Sequence, residues 1–169
     1  MSFPPYTDYP SLNAGDIVLR QIGPGEIDDI VEISFYDGQP AASATEALDM
    51  LERIHRDYRA GNSIHWGIAD RDSNTIAGTC GYYRGFENES GELGCVLREV
   101  FRGKGIMTRA MYAAIDFGFS VIGLQRITAT TTKQNSRAIK LLERLQFVRI
   151  AELEGDVIEY ELRKPVLGV

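Results

Sequence analysis

The chain has 169 residues, 44% of them hydrophobic and 25% charged, with a formal net charge of −6. That size and composition describe one globular domain, residues 1–169, with enough chain to bury its own core. The acidic balance argues against a nucleic-acid-binding surface, and no apolar run approaches the ~18 residues of a membrane span.

The start, Met1-Ser2-Phe3-Pro4-Pro5, has neither a basic region nor an apolar run. No signal peptide is expected, and the cytoplasm is the expected location. Residues 1–15, rich in Pro, Tyr, Ser and Gly, read as an irregular lead-in. Alternation from Asp16 to Ile22 marks a first strand, broken by Gly23-Pro24-Gly25. Ile27, Ile30 and Val31 at helical spacing predict a helix within Glu26–Ser34. Ser43 with Glu46 has the form of a capping box. It opens a helix from Ala44 to about Ala60 whose apolar face is Leu48, Leu51, Ile54 and Tyr58, with Gly61 as its stop.

The period then changes to two. Ile64, Trp66 and Ile68 alternate, the turn 70–74 follows, and Ile76, Gly78, Cys80 and Tyr82 alternate again, which predicts an antiparallel hairpin. Residues 85–91 form a polar loop and Glu92–Arg98 the next strand. A helix from Gly105 to about Val121 places Ile106, Ala110, Ala113, Phe117 and Val121 inward. Arg126–Thr131 is a strand, and Ser136–Leu145 a helix with Ala138, Leu141, Leu142 and Leu145 inward. Strands Phe147–Leu153 and Val157–Arg163 close the chain around the turn 154–156. The helix between strands 92–98 and 126–131 makes them parallel neighbours, so the expectation is a mixed α/β (α+β) fold. Its sheet has about seven mostly antiparallel strands with a central parallel pair, flanked by about four helices. The two cysteines, Cys80 and Cys95, lie in strands and read as small buried hydrophobes. Neither they nor His55 and His65 have metal-ligand spacing, so no metal is expected.

The stretch Arg102-Gly103-Lys104-Gly105-Ile106-Met107-Thr108 joins a strand to a helix. A glycine-rich turn there lets backbone N–H groups approach an anion at the helix N-terminus. Two cations at that end oppose the helix dipole, a conflict that a bound phosphate relieves. The stretch is not a P-loop, because Arg98 and Gly105 stand where Gly and Ser/Thr are needed. Nor is it a dinucleotide fingerprint, because Thr108 replaces the third Gly.

Glu92-Leu93-Gly94-Cys95-Val96-Leu97 followed by Arg102–Ala110 resembles the acetyl-CoA motif of the GNAT N-acetyltransferase superfamily. The likeness is closest to the ribosomal-protein (RimJ/RimL-like) branch. Asn135-Ser136-Arg137-Ala138-Ile139-Lys140-Leu141-Leu142-Glu143-Arg144-Leu145-Gln146-Phe147 resembles that branch's second block, and Ile17-Val18-Leu19-Arg20 its first strand. The resemblance covers nearly the whole chain and implies acetyl transfer from acetyl-CoA to a primary amine. The acceptor could be a protein N-terminus, a polyamine or another small amine, and the branch includes homodimers. Four departures stand out. Val100 occupies a place where Gln or Arg is frequent, and Gln146 replaces the Gly before Phe147, so an altered helix end is expected. Ala138 and Leu142 stand where family members carry a Ser or Tyr that handles the leaving thiolate. That loss keeps a second reading open, a non-catalytic acyl-CoA-binding module.

Placed on this sequence, the resemblance puts the pyrophosphate over Arg102, Gly103, Lys104, Gly105, Ile106, Met107 and Thr108. It puts pantetheine along Val96, Leu97 and Arg98, with Asn135 offering its amide to the cofactor arm. The thioester reaches the gap between strands 92–98 and 126–131, where a backbone N–H near Cys95 or Val96 can serve the oxyanion. Glu92 is the leading candidate for the general base. Its alternative is a strand-end carboxylate that is solvated or paired with a cation. Glu87, Glu89 and Tyr160 are weaker candidates. Trp66, Tyr82, Tyr83 and Phe86 are candidates for lining an acceptor pocket or for the core.

Overall fold

The structure is a computed structural model in which residues 1–165 are described. The chain opens with a short hairpin, β1 (Leu12–Ala14) and β2 (Ile17–Arg20), turned at Gly15, whose φ of +73° suits glycine. Residues Pro24–Ile33 coil as 3₁₀, α and 3₁₀ turns, with α1 only Ile27–Ile30. The expected single helix over Glu26–Ser34 is interrupted at Ile30 (φ −122°), within a run of β-branched and acidic residues that hold a helix weakly. A small ribbon, β3 (Phe35–Tyr36) and β4 (Gln39–Pro40), turns at Asp37-Gly38. Both turn residues have positive φ, as a type I′ turn requires.

α2 (Ala44–Arg59) begins at Ser43, whose side chain accepts from Glu46 N at 3.2 Å. Glu46 reaches back to Ala42 N, 2.7 Å, one residue before the cap. Ala47, Leu51, Ile54 and Tyr58 are its buried face. β5 (Ile64–Asp70), β6 (Ile76–Tyr83) and β7 (Ser90–Leu97) follow as an antiparallel meander. After α3 (Ile106–Phe117) the chain passes through a π turn, Gly118–Ile122, into β8 (Arg126–Thr132). α4 (Ser136–Arg144), β9 (Val148–Glu152) and β10 (Val157–Arg163) complete it.

The eight strands of the main sheet lie in the order β1-β2-β5-β6-β7-β8-β10-β9. The β7–β8 pair is parallel and the others are antiparallel. The eighth strand is β1, inside the stretch expected to be irregular. The rest of that stretch is also tied down. Tyr6 N donates to Tyr58 Oη at 3.0 Å, Tyr9 Oη to His65 O at 2.6 Å, and Trp66 Nε1 to Pro10 O at 2.9 Å.

α3 and α4 cover one face of the sheet and α1 and α2 the other, giving a separate apolar cluster on each side. The inward face of α3 is turned relative to expectation. Met107, Met111 and Ala114 are buried, Ala113 is half-buried and Val121 is exposed. The π turn adds a residue to the helical phase and hands the core position of Val121 to Ile122 and Leu124. The end of α4 keeps its shape despite Gln146. That residue takes the left-handed conformation itself, φ +67°, and Phe147 N still reaches Leu142 O at 3.0 Å.

Candidate functional site

The connection from β7 to α3 has the form of an anion cradle. Gly103 and Gly105 have φ of +77° and +70°, a region that other residues enter only with strain. A Cβ at Gly103 would meet nothing within 4 Å, so the backbone there is open to a ligand. No side chain caps α3, which leaves the N–H groups of its first turn to an outside acceptor. Arg109 braces the loop, donating to Lys104 O at 3.2 Å and to Asp16 at 2.8 Å. The Lys104 ammonium lies 5.6 Å from the Phe101 ring centroid. Arg102 stands 3.4 Å from Glu99.

Sequence reasoning missed a further cation: Arg144, at the end of α4, donates to Thr108 Oγ1 at 3.2 Å. Its place in the second motif block was visible, but only the packing of α4 beside α3 brings it to the loop.

β7 pairs with β8 only at Ser90–Arg126, Gly91–Ile127 and Glu92–Thr128. Beyond Glu92 the two strands separate, so Leu93–Leu97 keeps an unpaired edge toward β8 while its other edge stays hydrogen-bonded to β6. Alternate residues of such an edge turn N–H and C=O groups into the gap. Val96 and Leu97 lie on it. Arg98 contributes no side chain there, because its guanidinium binds Glu32 at 2.7 Å and Ile76 O at 3.1 Å. Asn135 Oδ1 caps α4 by accepting from Ala138 N at 3.2 Å, which leaves its NH₂ as the group facing outward chemistry.

The opposite face of the same strand opens into a cavity of about 870 Å³ beneath α1 and α2. Glu92, Gly94, Cys95 and Val96 of β7 line it. Gly94 is bare for a reason: a Cβ there would come 3.0 Å from the Tyr83 ring. Glu92 is one-quarter exposed and accepts from Arg84 Nη1 at 2.5 Å, while Arg84 Nη2 lies 3.3 Å from Asp37. Arg84 and Asp37 both hold positive φ, +61° and +49°, so this ion-pair chain joins two strained turns across the mouth.

His65 is one of the cavity's lining residues, with 5.7 Å between its ring centroid and that of Tyr83. Burial, then the nearby His55, push its pKa down to about 4, so it is neutral at pH 7. Among the described residues, His65 Nδ1 and Ser63 Oγ are buried with no hydrogen-bond partner. Neither signal is legible from the sequence, where both residues are ordinary strand positions.

Of the four aromatic candidates, Tyr83 and Phe86 line the cavity. Trp66 and Tyr82 are fully buried among the helix-side core, with Tyr82 Oη donating to Ala114 O at 2.9 Å. Glu87 stands at the mouth. Tyr160 is buried in the same core as Leu142 and Phe147, and neither it nor Glu89 is among the cavity's lining residues. Cys95 Sγ lies 3.6 Å from Met111 Sδ, and burial pushes its thiol up to about 12. Among the described residues no cluster of three or more His, Cys, Asp or Glu could hold a metal ion, and no helix is long and apolar enough to cross a membrane.

An uncapped helix with two left-handed glycines thus follows a strand that splays from its parallel neighbour. The acetyltransferase (GNAT) domain model matches residues 16–148. The chain belongs to the GNAT acetyltransferase family. It is 32% identical over 126 residues to the uncharacterized N-acetyltransferase p20 of Bacillus licheniformis, covering 74% of this chain and 68% of that one. It is 27% identical over 161 residues to the uncharacterized N-acetyltransferase YoaA of Bacillus subtilis, covering 90% and 88%. Among solved structures, the ribosomal-protein-S5-alanine acetyltransferase of Vibrio fischeri superposes with a TM-score of 0.74 at 21% identity, covering 92% of this chain and 100% of that one. A mutant form of the spermidine N-acetyltransferase SpeG of Vibrio cholerae superposes with a TM-score of 0.75 at 19% identity, covering 88% and 94%.

As a GNAT N-acetyltransferase, the chain draws on a family whose acetyl donor is acetyl-CoA. Its departures from the family motifs have structural counterparts. Val100 is 71% exposed on the 3₁₀ turn before the loop and offers no side-chain donor. Leu142 is buried and Ala138 half-buried on the inner side of α4, where Ile139, Leu141 and Leu145 are also apolar. That side of α4 carries no hydroxyl or imidazole of its own.

Proposed function

We propose that this N-acetyltransferase moves the acetyl group of acetyl-CoA to a primary amine by direct attack within a ternary complex. The observation that carries the reading is that one strand, β7, serves two compartments. Its edge toward β8 opens at Glu92, and its face toward α2 lines the cavity. The α3 loop, from Arg102 to Thr108, takes the pyrophosphate on backbone N–H groups. The open edge at Val96 and Leu97 pairs with pantetheine, and Asn135 donates its NH₂ to the cofactor arm. Arg98 takes no part, since its N–H donates to Ala77 O and its C=O accepts from Phe101 N. The amine arrives through the cavity and attacks the thioester carbonyl. A backbone N–H near Cys95 or Val96 steadies the oxyanion.

Glu92 takes the proton the amine gives up. Arg84 holds its Oε1, which orients the carboxylate and leaves Oε2 to accept. With no Ser or Tyr on the inner side of α4, the leaving thiolate takes its proton from water, and positioning supplies most of the acceleration. Protein N-terminal amines, polyamines and other small amines all fall within the reading, as does a cytoplasmic setting and a homodimeric state. The similar structures act on ribosomal protein and on spermidine by their names.

The test is release of free thiol from acetyl-CoA with a panel of N-terminal peptides, polyamines and small amines. Amine-dependent release is the expected result. Tight acetyl-CoA binding with no release across the panel would overturn it.

A further inference from the structure

The cavity beneath α1 and α2 holds more carboxylates than cations. Among its described lining residues Asp37, Asp57, Glu87 and Glu92 are acidic, and Arg84 is the one Arg or Lys. Carboxylates around an amine favour its charged form, so an acceptor entering here is held as an ammonium. It cannot attack a thioester until a base takes its proton. The state of the Glu92 carboxylate therefore matters more in this chamber than it would in a neutral one.

The single guanidinium is divided between two of those acids. Arg84 Nη1 donates to Glu92 Oε1 at 2.5 Å, and Arg84 Nη2 donates to Asp37 Oδ1 at 3.3 Å. Arginine commonly meets a carboxylate as a fork, with two parallel N–H···O bonds to its two oxygens. A forked Glu92 would have Oε2 covered and its charged form further stabilised, which makes a poorer proton acceptor. Asp37 draws the second nitrogen away. The β3–β4 turn presents it there, with left-handed φ at Asp37 and Gly38, and Arg84 reaches it from a left-handed position of its own after β6.

We infer that Asp37 is a positioning residue for the base: by holding Arg84 Nη2 it keeps the guanidinium on one oxygen of Glu92 and leaves the other free for the amine's proton. This rests on the reading above that Glu92 is the base. Asp57 of α2, Glu87 of the turn before β7, His65 of β5 and Tyr83 of β6 line the same cavity. Asp57 accepts from Tyr36 Oη at 2.9 Å, and among the described residues none of these four is hydrogen-bonded to Arg84. Steering the guanidinium falls to Asp37.

Asp37→Asn removes the charge and keeps the turn, because Asn-Gly is a favoured type I′ pair. Arg84 Nη2 is then expected to move onto Glu92 Oε2. Carboxyl ¹³C NMR on the full chain without cofactor follows Glu92 directly, and its carboxyl is expected to titrate about one pH unit lower than in the native chain. With acetyl-CoA and an amine that releases thiol, kcat at pH 7 is expected to fall about tenfold. The deficit should close as the pH nears the amine's own pKa, with acetyl-CoA affinity and Tm unchanged. A residue that only shaped the turn would move neither the titration nor the pH profile. An unmoved Glu92 titration in the folded variant overturns the inference.

Arg84→Lys separates steering from simple charge, because lysine is a point charge without the fork. On that background Asp37→Asn is expected to change kcat less than about twofold and to leave the Glu92 titration nearly in place. The full effect there would make Asp37 a distant charge and overturn the steering. A lowered Glu92 titration in Asp37→Asn, with no thiol release from acetyl-CoA by the native chain, would support the division of Arg84 and overturn the transfer reading alone.

Discussion

At the scale of single residues, the site concentrates its unusual chemistry at Gly105, Glu92 and His65. Gly105 combines a left-handed φ of +70° with an uncapped helix start. Gly105→Glu adds a carboxylate where the phosphate is to sit, and acetyl-CoA affinity is expected to fall at least ~100-fold by calorimetry. Gly105→Asn, which tolerates the left-handed region, is expected to lose much less. Glu92→Gln preserves the Arg84 hydrogen bond and removes the proton acceptor. Its rate at pH 7 is expected to drop about 100-fold and to recover as the pH approaches the amine's own pKa. An unchanged pH–rate profile would remove Glu92 from the mechanism. His65 makes stability depend on pH. Its folded pKa of about 4 lies below the ordinary 6.5, so the unfolded chain binds a proton that the folded one refuses. Stability is full above pH 6.5 and is expected to fall by about 3 kcal/mol as the pH drops toward 4. Denaturant titrations between pH 6.5 and 5.5, where ordinary carboxylates stay almost wholly ionised, should show this slope reduced in His65→Phe. The residual slope belongs to His55, whose pKa is also lowered by burial.

At the scale of elements, the parts of the fold with long periods were legible from sequence and the short or phase-shifted parts were not. The amphipathic stripes of α2 and α4, the β5–β6 alternation and the parallel β7–β8 pair follow from residue spacing alone. β1 is three residues long, too short to alternate visibly. The ribbon β3–β4 has only two residues in each strand, too few for an alternation to show. The glycine-rich turn before α3 was legible because its glycines and cations are contiguous. The cavity was not, since its walls come from α1, α2 and four strands, β3, β5, β6 and β7, that meet only on folding. The end of α3 shows why phase errors arise. A Cβ at Gly118 would lie 2.2 Å from Tyr82 Oη and 2.8 Å from Cζ. Tyr82 is fully buried and its hydroxyl is held by Ala114 O, so it cannot retreat. Gly118 also accepts from Gly123 N and Leu124 N through its carbonyl, which sets the π turn. Gly118→Ala is therefore expected to destabilise by roughly 3 kcal/mol in denaturant titration. Combined with Tyr82→Phe, which removes the nearest atom, its added cost is expected to shrink.

At the scale of the whole molecule, the first ten residues act as a strap between the two layers and the mouth of the cavity. Ser2 N donates to Ile122 O at 3.2 Å, beyond α3, while Tyr6 and Tyr9 hold the end of α2 and the start of β5. Phe3 stacks on Phe86 at 5.5 Å, and both rings line the cavity. Removing residues 2–10 would strip partners from Trp66 Nε1, His65 O and His65 N together. At about 1 kcal/mol or more for each buried group, a loss of at least ~3 kcal/mol in stability is expected. The loop Arg102–Thr108 lies apart from these contacts, so on the reading proposed above the Kd for acetyl-CoA should not move in whatever fraction stays folded. Phe3→Ala separates the strap's two roles, because it removes the stack at the mouth and none of those hydrogen bonds. Its expected signature is an acceptor KM raised about tenfold, the effect of losing one aromatic wall, with kcat, acetyl-CoA affinity and Tm little changed. Equal losses in KM for both substrates would instead make the strap a brace for the fold, with no part in receiving the amine.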